Sequence, residues 1–417
     1  MAASRKVSRR GFLESSASLG ALSAGLHVVK PHVLGAEGKA PPSDTVLVGG
    51  IGVGRQGRGI LSAGRGSKVI AVADVYQKHL YEVAKSRGGC DTYEDYRKML
   101  ERADLDAVTV GTPDHWHVPC CLHAVEAGKD VYCEKPLSLT IAEGRVLVEA
   151  VRRYNRVFQT GSMQRSSFHC RHGCELVRNG RAGKIHTVHG ACYPSPWYPV
   201  GLAEEPVPEG LDWEMWLGPA PVHPYNVNIQ RPRAKPGWIS FRPFSGGEMT
   251  GWGSHGLDII QWGLGADETG PVEVWADSAD LRSQVHYRYA SGVMLHLDRG
   301  PQGGGIFVGD QGEIMVTRGA FACKPKEIGE PPLTASDFHL YFSNHHGENW
   351  GECIRTRRRP ICDIEIGHRS CTVCHLGNIA RWLAPRKLKW DPDKECFPDD
   401  AEANRYLDRP RREPYRL

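Results

Sequence analysis

A glycine-rich segment near the start of the chain has the spacing that phosphate-binding loops use. Residues 45–51 (TVLVGGI) form an apolar run of strand type, and Gly52, Gly54 and Gly57 follow it in the order G-x-G-x-x-G. In such a loop the first glycine permits a tight turn, the second lets the backbone approach a pyrophosphate, and the third packs a helix on the strand. The segment predicts a dinucleotide site, with the phosphates at the start of a helix over residues 58–63.

An acidic residue after the next predicted strand bears on which dinucleotide binds. Residues 68–73 are apolar, and Asp74 follows them, 22 residues after Gly52. A carboxylate at about this spacing binds the hydroxyls of the adenosine ribose and repels a 2′-phosphate. NAD is therefore favoured, with NADP still possible. The alternative for Asp74 is a simple turn residue at the end of the strand.

Two polar clusters follow strand-like runs further along the chain. They are T-P-D-H-W-H at residues 112–117 and E-K-P at residues 134–136. Lys135 would stand where a nicotinamide ring and a substrate meet, and a lysine there can donate to a substrate oxygen. A surface ion pair between Lys135 and Glu134 is the competing interpretation. We expect the cofactor to contact residues from all of these segments, namely Gly52, Gly54, Gln56, Gly57, Asp74, Thr112, Pro113, His117, Glu134 and Lys135.

The elements that must position these residues alternate between strand and helix. Strands are predicted over residues 45–51, 68–73, 105–110, 130–133 and 156–160, and helices over residues 114–127 and 140–154. Such alternation predicts an α/β domain with a doubly wound parallel sheet, and ligands then bind at the carboxyl ends of its strands. We place this Rossmann domain at residues 43–161.

The alternation stops at residue 162. Strands are predicted over residues 184–192, 272–276, 284–289, 293–298 and 313–317 without helices between most of them, which indicates an antiparallel sheet. A long irregular stretch at residues 193–243 is rich in Trp and Tyr, and loops of this length usually shape a site or an interface. Most of these rings are expected to pack the loop, although some could stack on a sugar. We predict an α+β domain at residues 162–385 and a C-terminal tail at residues 386–417.

Taken in order, these motifs resemble the Gfo/Idh/MocA family of oxidoreductases, the relatives of glucose–fructose oxidoreductase and inositol dehydrogenase. Further matching runs are GSMQR, DWEMWLGPAPVHPYN, SGGEMTGWGSHGLDIIQW, ICDIEIGHRS and TVCHLGNIA, so the resemblance covers nearly the whole chain after residue 43. The resemblance implies a Rossmann domain followed by an open, mostly antiparallel sheet that often supports homo-oligomers. It also implies hydride transfer between NAD(P) and a sugar, polyol or related carbohydrate.

The resemblance also implies that Lys135 acts together with His255 as general acid and base. Family members commonly carry an aspartate four residues before that histidine, where this chain has Gly251. His255 and Lys135 would then act alone, or Asp258 would help from the next turn of the helix, or a carboxylate would come from elsewhere.

The small positive charge of the chain is concentrated at its beginning. The net charge is +4, and residues 1–36 contain five of the 52 basic residues but one of the 48 acidic residues. The rest is balanced, so we expect no nucleic-acid partner. Arg9 and Arg10 lie in S-R-R-G-F-L, which resembles a twin-arginine export signal, and the mild apolar stretch behind them is too short to span a membrane. We predict cleavage after Ala36, twin-arginine export and a periplasmic location without stable membrane insertion; a basic tail is the alternative.

Export would restrict the reactions that the enzyme could catalyse. Free NAD is scarce outside the inner membrane, so a folded exported enzyme should carry its cofactor and keep it. A retained cofactor must return to its starting redox state in each cycle. Paired oxidation and reduction of two carbohydrates satisfies this, and so does a redox-neutral glycosidase or lyase reaction. A non-catalytic dinucleotide- or sugar-binding protein is a third hypothesis, motivated by Gly251.

Two cysteine-containing motifs could be mistaken for cofactor sites. Residues 371–375 read C-x-x-C-H, the attachment signature of c-type haem, but they lie in a helical pattern over residues 371–383. We expect that helix to pack near the site with His375 and Asn378. The run His169–Cys174 could suggest a metal, but it lacks a second ligand pair, and no metal site is predicted.

Overall fold

The computed structural model describes residues 45–232 and 236–417, so the predicted signal segment at residues 1–36 lies outside the described residues. The first half alternates strands with helices. Its elements are β1 Val46–Ile51, α1 Arg55–Gly59, β2 Ser67–Ala73, α2 Gln77–Ser86, β3 Asp91–Tyr93, α3 Tyr96–Leu100, β4 Ala107–Val110, α4 Asp114–Glu126, β5 Asp130–Cys133, α5 Ile141–Arg153 and β6 Phe158–Thr160.

The six strands form one parallel sheet in the order β3-β2-β1-β4-β5-β6. The predicted doubly wound architecture is thus confirmed. The strands β4, β5 and β6 are buried along their whole length, as expected when helices cover both faces of a parallel sheet. The helix α5 is capped by Thr140, whose hydroxyl accepts the Glu143 N–H, and the Glu143 carboxylate accepts the N–H of Leu139 just before the cap.

The helix predicted over residues 58–63 is different in the structure. Instead, α1 starts directly at Arg55 and ends at Gly59 after five residues. The chain then turns at Gly64, whose φ of +74° favours glycine, and a Cβ there would lie 2.6 Å from the Glu348 side chain. The helix itself ends at Gly59, where the Ile60 N–H donates to the Gly57 carbonyl at 3.2 Å in a tight turn that sequence periodicity does not report.

The second half contains α6 Phe168–Arg178, β7 Ile185–Ala191, α7 Trp213–Leu217, α8 Val227–Gln230, α9 Glu248–Gly251, α10 Gly253–Leu264, β8 Pro271–Ala276, β9 Val285–Tyr289, β10 Met294–Asp298, β11 Gly305–Gly309, β12 Gly312–Thr317, β13 Ala320–Lys324, α11 His346–Thr356, α12 Ile364–Trp382, β14 Leu388–Lys389 and α13 Ala401–Asn404. The strands form a sheet of eight in the order β13-β12-β11-β7-β10-β9-β8-β14. All neighbours are antiparallel except β7 and β10, which run parallel. The predicted open, mostly antiparallel sheet is confirmed.

One face of this sheet forms the main core of the second half. The helices α6, α10 and α12 cover that face, and Val188, Leu295 and Phe307 of the sheet are fully buried in one cluster with Ile260 and Leu376 of the helices. Each such side chain contributes roughly 1.5–3 kcal/mol of transfer free energy. The long helix α12 packs against the helix that carries His255, against α5 and against strand β8.

The segment predicted as a tail is part of the fold. Its strand β14 pairs with β8 at the edge of the sheet. Further on, Arg409 and Arg411 form ion pairs with the buried Glu143 of α5. Within residues 45–232 and 236–417, no helix is long and apolar enough to cross a membrane. All 13 cysteines are free.

Candidate active site

A cavity of about 850 Å³ lies at the carboxyl ends of the parallel strands. This volume is within the range of roughly 300–1,000 Å³ that small-molecule and cofactor sites occupy. Helices α9 and α10 of the second half close its other side, with Gly251 and His255 in the lining. Of the residues predicted for the site, those that line the cavity are Gly52, Gly54, Gln56, Asp74, Thr112, Pro113, His117, Glu134, Lys135 and His255.

The glycine loop is shaped by close backbone approaches. Gly52 has a φ of +73°, and a Cβ there would lie 2.7 Å from the Thr112 side chain. A Cβ at Gly57 would lie 1.8 Å from the Gly52 carbonyl oxygen. Gly57 is therefore needed for the close approach of α1 to the loop, and it does not line the cavity itself.

The Asp74 carboxylate lies next to this loop at the end of β2. One of its oxygens accepts the Val53 N–H at 2.8 Å, and the other accepts the Tyr76 N–H at 2.9 Å. The His79 ring lies 3.2 Å from the same carboxylate. These contacts hold the carboxylate at the wall of the cavity, where it is placed to accept hydroxyl groups.

A hydrogen-bonded chain runs from the glycine loop to the second half of the protein. The Gln56 amide donates to Glu134 at 2.9 Å, and the other Glu134 oxygen accepts the backbone N–H of Lys135 at 3.2 Å. The Lys135 ammonium in turn donates to the Gly251 carbonyl oxygen at 3.2 Å. Glu134 is only 4% exposed, which does not fit the alternative of a surface ion pair.

The His117 ring forms hydrogen bonds to two loops of the site. Its Nδ1 lies 2.6 Å from the Pro136 carbonyl oxygen and its Nε2 lies 3.0 Å from the Thr112 carbonyl oxygen. Burial disfavours protonation of the ring, but Cys133, the Asp114 carboxylate and the Pro136 carbonyl outweigh burial and raise the pKa of His117 to about 10. With both nitrogens donating to carbonyls, His117 orients the loop that carries Lys135.

The segment just before α9, which leads into the helix bearing His255, is anchored by hydrogen bonds. The Ser245 hydroxyl donates to Asp114 at 2.6 Å, and the Asn378 amide donates to the Gly246 carbonyl at 2.8 Å. Gly247 has a φ of +75°, and a Cβ there would lie 2.6 Å from the Pro196 nitrogen. Asn378, predicted near the site, thus supports it from behind, because α12 does not line the cavity.

His255 lines the cavity from helix α10. It is 7% exposed, and its ring packs edge-on against Trp252, with centroids 5.7 Å apart. The Arg318 guanidinium lies over the Trp252 ring at 4.9 Å. Sequence reasoning missed Trp252 and Arg318 as lining residues. Trp252 stands in a motif that was recognised, whereas Arg318 follows β12 without any local signal.

Asp258 is placed differently from the sequence hypothesis. Its carboxylate forms an ion pair with Arg165 at 2.9 Å, both side chains being 1% exposed, and it accepts the Ser370 hydroxyl at 2.8 Å. It does not line the cavity. An i, i+3 spacing places Asp258 near His255 along the helix axis, but the side chain turns towards α12 and the core. We assign Asp258 a structural role.

The cysteines of both motifs are buried, Cys170 and Cys174 on α6 and Cys371 and Cys374 on α12. His375 of the C-x-x-C-H motif lies 3.1 Å from the Ser138 carbonyl oxygen. In residues 45–232 and 236–417, no group of three or more His, Cys, Asp or Glu side chains could hold a metal ion.

Comparison with known proteins agrees with this geometry. Residues 45–162 match the description "Oxidoreductase family, NAD-binding Rossmann fold", and residues 184–417 match "Oxidoreductase family, C-terminal alpha/beta domain", the two halves of the Gfo/Idh/MocA family. The chain belongs to this family. Its first half is accordingly an NAD-binding Rossmann domain.

Individual relatives cover the chain to different extents. Inositol 2-dehydrogenase 2 of Saccharopolyspora erythraea is 32% identical over 182 residues, which is 42% of this chain and 54% of the relative. Glycosyl hydrolase family 109 protein 1 of Shewanella sp. is 32% identical over 126 residues, 27% of this chain and 28% of the relative. The chain thus spans about half or less of these relatives. The WlbA dehydrogenase of Bordetella pertussis shares the fold with a TM-score of 0.61 at 17% identity, over 83% of this chain and 99% of that one.

Proposed function

We propose that the protein is an NAD-dependent oxidoreductase that transfers hydride between a tightly held cofactor and a sugar, polyol or related carbohydrate. One observation carries the proposal. Lys135 at the end of β5 and His255 on α10 line the same cavity as the glycine loop and Asp74. A proton-transfer pair and a dinucleotide loop are thus brought to one place. The matching inositol 2-dehydrogenase supports a polyol or sugar as the substrate class.

The loop and its neighbours fit NAD. Gly52 and Gly54 leave the backbone open to a pyrophosphate, and Asp74 offers a carboxylate to the ribose hydroxyls. The same carboxylate disfavours the 2′-phosphate of NADP. When bound, the cofactor supplies the hydride acceptor at its nicotinamide ring, or the donor in the reverse direction.

The chain's own residues handle the substrate oxygen and its proton. In the oxidation direction, the Lys135 ammonium donates a hydrogen bond to the substrate hydroxyl oxygen and stabilises the negative charge that develops there. His255 accepts the hydroxyl proton as general base and returns a proton in the reverse direction. The hydrogen bond from Lys135 to Gly251 holds the ammonium close to the helix of His255 before substrate arrives.

The direct test is to purify the protein, identify any bound nucleotide, and screen sugars and polyols for a change in nicotinamide absorbance. We expect NAD or NADH to co-purify and at least one carbohydrate to change its redox state. Protein that neither contains nor binds a nicotinamide dinucleotide would rule the proposal out.

A redox-neutral reaction on a glycoside is the second candidate. The match to a glycosyl hydrolase family 109 protein favours it. Here a sugar carbon is transiently oxidised, the leaving group is eliminated, water adds in its place, and reduction of the same carbon returns the hydride that the oxidation removed. Release of free sugar from a glycoside without net NADH formation would distinguish this reaction from a simple dehydrogenase.

We also propose that residues 1–36 direct twin-arginine export to the periplasm. The support is Arg9-Arg10 in S-R-R-G-F-L and the short apolar stretch behind it. Cell fractionation of the wild type and an Arg9→Lys/Arg10→Lys variant tests this, with loss of the periplasmic fraction expected in the variant.

A homo-oligomer is the arrangement we propose for the second domain. The face of the eight-stranded sheet opposite α6, α10 and α12 is partly exposed and bears apolar residues such as Ile306 and Met315. A monomer in light scattering at micromolar concentration would contradict this.

A further inference from the structure

Gly251 contacts Lys135 and precedes His255 by four residues. It lines the cavity, and its carbonyl oxygen accepts the hydrogen bond from Lys135 at 3.2 Å. It also lies one helical turn before His255. A carboxylate is expected here from the resemblance to the family, and glycine supplies none.

The structure brings a carboxylate to this place from the preceding turn. A Cβ at Gly251 would lie 2.9 Å from Oε2 of Glu248 and 3.6 Å from its Cδ. The carboxylate of Glu248 therefore occupies the space in which a longer side chain at Gly251 would begin. Its Oε2 is shielded from solvent.

Helix geometry places Glu248 and His255 on one face of successive helical turns. Helices α9 and α10 are joined through Trp252, whose φ of −80° and ψ of −33° are helical. The Trp252 N–H donates to the Glu248 carbonyl at 3.0 Å, and the Gly256 N–H donates to the Trp252 carbonyl at 3.3 Å. Residues seven apart on a helix lie about two turns apart on the same side, so Glu248, Gly251 and His255 share a face.

The absence of a side chain at Gly251 makes this arrangement possible. The Glu248 carboxylate reaches the position where a side chain at Gly251 would begin, one turn before His255, and any Cβ at residue 251 would lie only 2.9 Å from its Oε2. Glu248 and Gly251 therefore act as a matched pair. The longer acid replaces a shorter one that would start one turn later.

We propose that Glu248 is the carboxylate of this active site and positions His255 and Lys135 for proton transfer. The inference rests on the proposed oxidoreductase function. In the oxidation direction the substrate transfers its hydroxyl proton to His255. The hydrogen of its C–H bond leaves with the bonding electron pair, as hydride, to NAD. The His255 ring then carries a positive charge, which the Glu248 carboxylate stabilises until the proton leaves to solvent. Glu248 is thus a positioning residue that acts through His255.

The proposal is tested by variants that remove the carboxylate at residue 248 or place one at residue 251. We expect Glu248→Gln to lower kcat about 10- to 100-fold, with KM for the carbohydrate and Kd for NAD changed less than about threefold. Gly251→Asp alone should also lose activity, because two carboxylates would compete for one space. The double variant Glu248→Ala/Gly251→Asp should regain at least about tenfold over Glu248→Ala, because the shorter acid now has room.

The control is Glu268→Gln, an exposed glutamate just beyond the same helix, which should match the wild type. A double variant no better than Glu248→Ala, or a Glu248→Gln variant with wild-type kcat, overturns the proposal. If the wild type turns over no carbohydrate at all, the proposed function fails instead.

A second measurement needs no turnover. The titration of the His255 ring is followed by NMR in histidine-labelled protein, with the signal assigned from a His255→Asn variant. Losing the carboxylate should move its midpoint down by about one pH unit in Glu248→Gln. The other titratable groups near this helix are unaltered in that variant: Lys135, Arg318, Tyr193, Cys374 and Asp258. An unchanged midpoint contradicts the proposal even without a known substrate.

Discussion

The Lys135 ammonium nitrogen lies 3.2 Å from the carbonyl oxygen of Gly251. This hydrogen bond joins the end of strand β5 in the NAD-binding domain to helix α9, which leads through Trp252 into the helix that carries His255. The two members of the proposed proton-transfer pair are thus linked by a contact between domains. A change at either end should therefore affect catalysis more than it affects cofactor binding.

Replacing Lys135 by Met should lower kcat by about 10²–10⁴-fold, the usual size of a lost general acid–base contribution. NAD should still bind, because the glycine loop and Asp74 are unchanged. Steady-state kinetics and nucleotide titration by fluorescence measure the two effects separately. Lys98→Met, at an exposed lysine, is the control. Wild-type kcat in Lys135→Met would remove this lysine from the mechanism.

Replacing Asp74 by Ser should weaken NAD binding about 10- to 100-fold, because a charged acceptor for the ribose hydroxyls is lost. Affinity for NADP should fall less or rise, since the repulsion of a 2′-phosphate disappears. Calorimetric titration of both nucleotides checks this, with the exposed Asp393→Ser as a control. Unchanged preference between the two nucleotides would mean that Asp74 does not face the ribose.

Replacing Arg165 by Met should lower the free energy of unfolding by about 3–5 kcal/mol, because Asp258 would be left buried without its partner. The double variant Arg165→Met/Asp258→Leu should recover part of that loss. Urea denaturation measures both values. The exposed pair of Arg416 and Glu413 is the comparison, and Arg416→Met should change stability by less than about 1 kcal/mol. A double variant as unstable as the single one would contradict the assignment.

The cluster of Arg145, Glu365 and Glu395 should make the free energy of unfolding depend on pH in the acidic range. Burial alone would raise the pKa of both carboxyls, but hydrogen bonds from Arg145, and further ones from Arg369 to Glu365 and from His368 to Glu395, lower each pKa from 4.5 to about 2. A carboxyl group whose pKa is lower in the folded state than in the unfolded state stabilises the fold at pH values above its unfolded-state pKa. This stabilisation is lost as the pH falls through its folded-state pKa.

The corresponding variant is Arg145→Met. It should be less stable than the wild type at pH 6–7, and the difference should shrink as the pH falls from about 4.5 to about 2. Chemical denaturation at several pH values tests the expectation. A difference that stays constant over this range would show that the cluster's charges are not responsible.

Much of the first domain follows from local patterns. The glycine spacing, Asp74 and the alternating strands are short-range features, and the residues that line the cavity after β1, β2, β4 and β5 lie within a few positions of a recognisable strand end. The sequence analysis did not predict strands β3, β11, β13 and β14. The strands β3 and β14 contain only three and two residues, β11 follows a glycine-rich run, and β13 is an edge strand with exposed and half-buried residues.

The sequence by itself determined the fold class and the NAD-binding loop, because both depend on residue type and spacing along the chain. It also predicted Lys135 from its place after a strand, and His255 from the resemblance to the family. Only the tertiary structure decided what surrounds them. Asp258 turns to Arg165 because a buried guanidinium attracts its carboxylate across 93 residues of chain, and Glu248 reaches the space at Gly251 because no Cβ fills it. Such choices depend on long-range packing and on which groups share a buried space, which spacing along the chain does not encode.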